Sequence, residues 1–161
     1  VRPFGPADEV QVIALWVDCG LVRPWNNPRR DIERKLRVNP EWFLVGEVDG
    51  QVAATCMAGY EGHRGWINYL AVAPRYRRQG VGSKLMAEAE RLLRSAGCPK
   101  VNLQVRESNP GVIAFYEAVG YSNDHVVSLG KRLDVDPPWE TPGGQPSPAR
   151  SPTTRREGID R

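Results

Sequence analysis

Between Val72 and Lys84 the chain reads Val-Ala-Pro-Arg-Tyr-Arg-Arg-Gln-Gly-Val-Gly-Ser-Lys: an apolar run stopped by proline, three arginines, then two glycines where a helical pattern begins. Arg75, Arg77 and Arg78 concentrate positive charge there. Gly80 and Gly82 let backbone approach a ligand closely, and the unpaired amides of a helix start point outward beside them. Such a segment is an anion cradle suited to a pyrophosphate. Two familiar nucleotide loops have similar ingredients, and neither fits. The pattern G-x-x-x-x-G-K-[ST] fails because the order here is Gly82-Ser83-Lys84 and its first glycine is missing. The dinucleotide pattern G-x-G-x-x-G fails at its third small residue, where Leu85 stands.

The pattern [QR]-x-x-G-x-[GA] does fit, as Arg77-Arg78-Gln79-Gly80-Val81-Gly82, directly after Leu70-Ala71-Val72. A second segment follows in order: Arg106-Glu-Ser-Asn109, Ala114-Phe-Tyr-Glu117 and Gly120-Tyr121. Together the two resemble the acetyl-CoA signature and the following segment of the GCN5-related N-acetyltransferase (GNAT) superfamily. Leu21 to Asn26, Asp31 to Lys35, Gly59 to Gly65 and Ser128 to Leu133 resemble the bacterial YpeA-type acetyltransferases within it.

The resemblance implies roles residue by residue. The backbone of Leu70, Ala71 and Val72 would pair with the pantetheine arm of acetyl-CoA and polarise its thioester carbonyl. Arg77, Arg78, Gln79, Gly80, Val81, Gly82 and Ser83 would hold the pyrophosphate, and Asn109 would contact the cofactor arm. Tyr116 would be the catalytic residue that protonates the departing thiolate. A phenol of ordinary pKa, about 10, is a sensible donor for that step; the competing reading is a packed helix aromatic beside Phe115. N-terminal protein acetyltransferases place a glutamate where this chain has Gln104, which orients partners by hydrogen bonding but accepts no proton. Glu61, His63 and Glu107 are candidate bases acting through a water, or surface loop residues. Arg23, Trp25, Asn68 and Gln104 are expected to line the acceptor site, together with Asp31 and Arg34. The arginines would suit a carboxylate-bearing amine, or else belong to a salt-bridged surface helix with Trp25 packed on the core. No spacing of ligating residues suggests a metal.

These residues need elements to position them. The sequence predicts a first strand at Val1 to Phe4, then a helix through Val10, Ile13, Ala14 and Val17, with Asp8 as its N-cap and Gly20 near its end. Leu21 to Pro28 reads as a loop and Asp31 to Val38 as a short charged helix. Glu41 to Val48 and Gln51 to Gly59 read as strands joined by the hairpin dipeptide Asp49-Gly50. Trp66 to Ala73 is a nearly continuous apolar strand for the middle of a sheet. A helix at Gly80 to Ala96, a strand at Lys100 to Val105 and a helix at Pro110 to Val119 follow. Val126 to Leu133 is expected as a last strand, paired with Tyr121 to Asn123. The fold class is α/β: the GNAT fold, a mixed, mostly antiparallel sheet with helices on both faces.

The length of 161 residues suits one core with an appendage. Residues 1–135 form the predicted acetyltransferase domain. Residues 136–161, rich in proline and glycine and poor in aliphatic residues, are expected to be a disordered tail. From Asp134 onward five acids face four arginines, so that stretch carries −1 and the rest +4 of the net +3. Cys19, Cys56 and Cys98 are expected as free thiols. The absence of a long apolar run and of a signal-peptide pattern gives a cytoplasmic expectation without a membrane, and an acidic tail without interleaved aromatics argues against nucleic acid. The expected activity is acetyl transfer from acetyl-CoA to a primary amine by direct attack in a ternary complex, with a homodimer as an option. The competing reading is a catalytically weak acyl-CoA-binding sensor or partner-binding domain.

Overall fold

In the computed structural model of the protein, residues 1–139 are described. Five strands lie side by side in chain order: β1 (Arg2–Pro3), β2 (Phe43–Val48), β3 (Gln51–Tyr60), β4 (Gly65–Val72) and β5 (Val101–Leu103). The first four pair antiparallel, and β5 joins β4 parallel. Among the described residues there are also four α-helices: α1 (Glu9–Asp18), α2 (Pro28–Leu36), α3 (Val81–Ser95) and α4 (Pro110–Ala118).

The hairpin turn between β2 and β3 has Asp49 and Gly50 both at positive φ, 50° and 74°, the two-residue geometry that dipeptide favours. Alternation then sorts side chains to two faces. On one face Val12, Trp16 and Ile32 of α1 and α2 pack with Phe43, Val45, Met57 and Ala71. On the other, Leu85, Met86, Ala89 and Leu93 of α3 and Tyr116 of α4 pack with Leu44, Ala54, Cys56 and Ile67. Each fully buried large apolar side chain contributes on the order of 2 kcal/mol relative to exposure, so the two clusters fix the sheet between two helical layers.

Several boundaries move, for local reasons. The second helix begins at Pro28 rather than Asp31, because the Asn27 side chain accepts from the amides of Arg29 (3.1 Å) and Arg30 (3.4 Å) and proline suits a first helical position. Asp8 stands at the N-cap of α1 but makes no side-chain cap bond; its carboxylate accepts from Arg2 and from the amide of Gly5. The strand expected at Val126 to Leu133 is absent: the segment forms no ladder, and Leu129 is 91% exposed. His125, at φ 53°, turns the chain out of extended geometry. Side-chain bonds from Lys100 to Asp124 and from Gln104 to Ser128 hold the segment beside a β5 only three residues long. Farther on, Asp136 binds Arg34 and Trp139 packs against the α1 and α2 cluster, within the stretch that composition assigned to the tail. Residues 140–161 of that stretch lie outside the described residues.

Candidate active site

The parallel pairing of β4 with β5 stops at Ile67 opposite Leu103, while β4 runs on to Val72. Asn68 and Gln104, both exposed, are the first residues past that last pair. From there the β5 side of β4 has no ladder partner, so backbone groups of an edge are available to a ligand. Past the proline-started turn at Pro74–Tyr76, Arg78 (φ 58°) and Gly80 (φ 77°) adopt left-handed conformations, and Gly80 caps α3. Alternating backbone of this kind turns successive amides toward one point, an anion-binding concavity at the positive end of a 15-residue helix. Gly82 is required for a different reason. A Cβ there would sit 3.2 Å from the Phe115 ring and 3.4 Å from Val72, so α4 and β4 close directly over the first turn of α3.

The residues expected at this cradle are not all free. Arg77 Nε donates to the Val72 carbonyl (3.0 Å), and the Gln79 amide donates to the Arg75 carbonyl (2.8 Å), so both side chains brace the turn itself. Arg78 and Ser83 are exposed. Asn109 caps α4, its side chain accepting from the Val112 amide at 3.3 Å. Tyr116, 9% exposed, stands edge-on between Phe115 (5.2 Å) and Tyr121 (5.6 Å), and lines one groove with Leu103, Gln104 and Val105. Its hydroxyl is committed to no hydrogen bond among the described residues. Burial pushes the phenol above the ordinary tyrosine range.

A second polar group lies on the opposite face of β4. Thr55 opposes Ala71 and Met57 opposes Asn68, so two residues, Tyr69 and Leu70, stand against Cys56 alone: a β-bulge. Tyr69 carries φ 51°, a conformation that costs a non-glycine residue roughly 1 to 3 kcal/mol and persists where surroundings over-determine it. Its ring stacks on Trp16 at 4.0 Å and its hydroxyl donates to Asp31 Oδ2 at 2.6 Å. Burial, then the Asp31 carboxylate, push that phenol upward. The Asn26 side chain donates to the same hydroxyl at 3.3 Å, and Arg34 bridges Asp31 (3.1 Å) to Asp136. Arg34 holds the Asp136 carboxyl below its usual range.

Of the acceptor-side residues expected from sequence, Trp25 is 40% exposed and its carbonyl accepts from Arg132 at 3.0 Å. Arg23 is exposed on the loop, and Gln104 is bonded to Ser128. Glu61 folds onto the amides of His63 and Arg64 in its own loop, which keeps its carboxyl low and makes it a turn residue. Sequence reasoning missed Thr55, Tyr69, Trp16 and Asn26. Thr55 alone carried a signal: a polar side chain within the apolar run Val52 to Ala58 requires a partner once buried.

The Acetyltransferase (GNAT) family model matches residues 10–121. The chain belongs to the GNAT acetyltransferase family. An acetyltransferase of Yersinia pestis (strain Pestoides F) is 48% identical over 136 residues, covering 84% of this chain and 96% of its own. One of Sodalis glossinidius is 49% identical over 137 residues, with the same coverage. Among solved structures, AAC(6′)-Iy in complex with the bisubstrate analog CoA-S-monomethyl-acetylneamine superposes with a TM-score of 0.67 at 19% identity, covering 82% of this chain and 97% of that one. GNAT acetyltransferases use acetyl-CoA as acyl donor, and this chain is an acyl-CoA-dependent acetyltransferase. Among the described residues no helix is long and apolar enough to cross a membrane.

Proposed function

We propose that the chain transfers the acetyl group of acetyl-CoA to a primary amine by direct attack in a ternary complex. The observation that carries this reading is the parting of β4 from β5 after Ile67 and Leu103, with Tyr116 in the same packed cluster as Leu70 and Val72 of the freed edge. Bound acetyl-CoA supplies the acetyl group as a thioester. The free edge of Leu70, Ala71 and Val72 pairs with its amide-bearing arm. The amides of Val81, Gly82 and Ser83 at the start of α3, with Arg78 above them, take the pyrophosphate. Arg77 and Gln79 serve by shaping the turn, since their side chains bind its carbonyls. Asn109 orients α4 as its cap, and so places Tyr116.

The amine approaches from the α1 and α2 side, where Asn26, Asp31 and Tyr69 form the polar wall and Arg23, Trp25 and Asn68 lie at its rim. Its nitrogen forms a bond to the acetyl carbon as the carbon–sulfur bond breaks. The amine loses a proton to solvent, and Tyr116 gives one to the leaving thiolate. Because burial raises the Tyr116 phenol, the donor form persists beyond the ordinary tyrosine range, so turnover has no basic limb from this residue below a pH of about 10.

The test is thiol release from acetyl-CoA across primary amines, amino acids and N-terminal peptides. Amine-dependent release that falls about a hundredfold or more in Tyr116→Phe, with donor binding retained, is expected. Tight acetyl-CoA binding without amine-dependent release from any member of the panel would overturn the proposal.

A further inference from the structure

Thr55 is wholly buried, at 0% exposure, in the middle of β3, and its hydroxyl is used in both directions. It accepts from Trp16 Nε1 at 2.9 Å and donates to the Tyr69 carbonyl at 2.9 Å. Trp16 is itself fully buried and stacks on the Tyr69 ring, so donor, relay and recipient form one closed unit. The carbonyl that Thr55 grips belongs to the bulged residue at φ 51°. The Tyr69 side chain is fixed at its far end by Asp31. Ring, carbonyl and hydroxyl are thus pinned separately, from α1, β3 and α2.

A bulge leaves one residue of the longer strand without a ladder partner, and so leaves a backbone amide to donate elsewhere. Here that residue is at Tyr69–Leu70, where the free edge of β4 begins. We infer that Thr55 is a positioning residue for acetyl transfer: its hydroxyl, oriented by Trp16, holds the Tyr69–Leu70 bulge so that a backbone amide faces the thioester carbonyl of the bound donor. The inference rests on the proposed use of the β4 edge by acetyl-CoA. Thr55 touches neither substrate. It acts by fixing the direction of an amide, and preorganised donors of this kind stabilise developing negative charge without reorganisation.

Thr55→Val keeps the shape of the side chain and removes both bonds; Thr55→Ser keeps the hydroxyl and loses only a methyl group. The carbonyl stretch of acetyl-CoA carrying a carbon-13 label at the acetyl carbonyl reports polarisation directly and needs no known acceptor. Wild-type protein is expected to lower that frequency relative to free acetyl-CoA. Thr55→Val should bind acetyl-CoA within about threefold of wild type, yet lose most of the frequency shift and about tenfold in kcat, a fraction of what removing an oxyanion donor costs. Thr55→Ser should restore both. Should the valine variant fail to fold, Thr55→Ala, which likewise removes the hydroxyl, takes its place with the same expectation. A folded variant lacking the hydroxyl that keeps the wild-type frequency and kcat would overturn the inference. A wild-type complex with an unshifted carbonyl would instead remove the underlying reading of the β4 edge.

Discussion

The two sides of β4 are built in opposite ways. On the proposed donor side the polar groups are mostly backbone, from a short stretch of chain: the open edge Leu70 to Val72, the left-handed Arg78 and Gly80, and the first amides of α3. On the proposed acceptor side they are side chains gathered from far apart. Tyr69 meets Asp31 across 38 positions and Asn26 across 43, while Arg34 meets Asp136 across 102. Backbone recognition suits a ligand with a constant amide and phosphate skeleton. A side-chain wall can be changed one residue at a time, so under the proposed function the choice of amine falls there rather than at the cradle.

This contrast breaks most sharply between the sites, at Tyr116. Tyr116→Phe should lower kcat about a hundredfold or more while leaving acetyl-CoA affinity nearly unchanged, measured by steady-state kinetics and calorimetry. Next, Gly82→Leu should weaken acetyl-CoA binding more than tenfold and destabilise the fold by about 1 to 3 kcal/mol. The added side chain must displace Phe115 or Val72, which already stand 3.2 and 3.4 Å from a Cβ. Asp31→Asn, by contrast, should leave donor affinity alone and raise KM for the amine about tenfold, the scale of one hydrogen bond involving a charged group. Equal effects on both substrates would erase the division between the sides.

The smallest expected effect lies outside both sites. Arg2 holds the Asp8 carboxyl below its usual range, so its folded pKa lies under the unfolded value near 3.9. The stabilisation is present above the unfolded value and is lost as pH falls through the folded one. Because solvent screens the Arg2 side chain, which is 42% exposed, Asp8→Asn should cost only about 1 kcal/mol near neutral pH, a fall of roughly 3 °C in Tm, without touching kinetics. The difference from wild type should vanish in strong acid.

The same contrast explains what was legible in the sequence. Gly80, Gly82 and the preceding arginines stand within a few residues of one another, and their spacing pointed to an anion cradle before any fold was known. Tyr116 was reached through a second local segment. The bulge was invisible, because nothing in Trp66 to Ala73 marks Tyr69 for a left-handed φ; that conformation is imposed by Thr55 and Trp16 from other elements. The early start of α2 was hidden by two prolines around Asn26 and Asn27 that read equally as turn formers. Val126 to Leu133 has strand composition, but β-propensity records fit to a half-buried pleated surface, and β5 offers only three residues.

The most direct measurement titrates acetyl-CoA into nitrogen-15-labelled protein and follows the backbone amides residue by residue. Donor binding along the open strand edge predicts the largest shifts at Tyr69 to Val72 and at Val81 to Ser83, with β1 and β2 unmoved. Saturable binding that leaves those amides unchanged and shifts another surface would contradict the account.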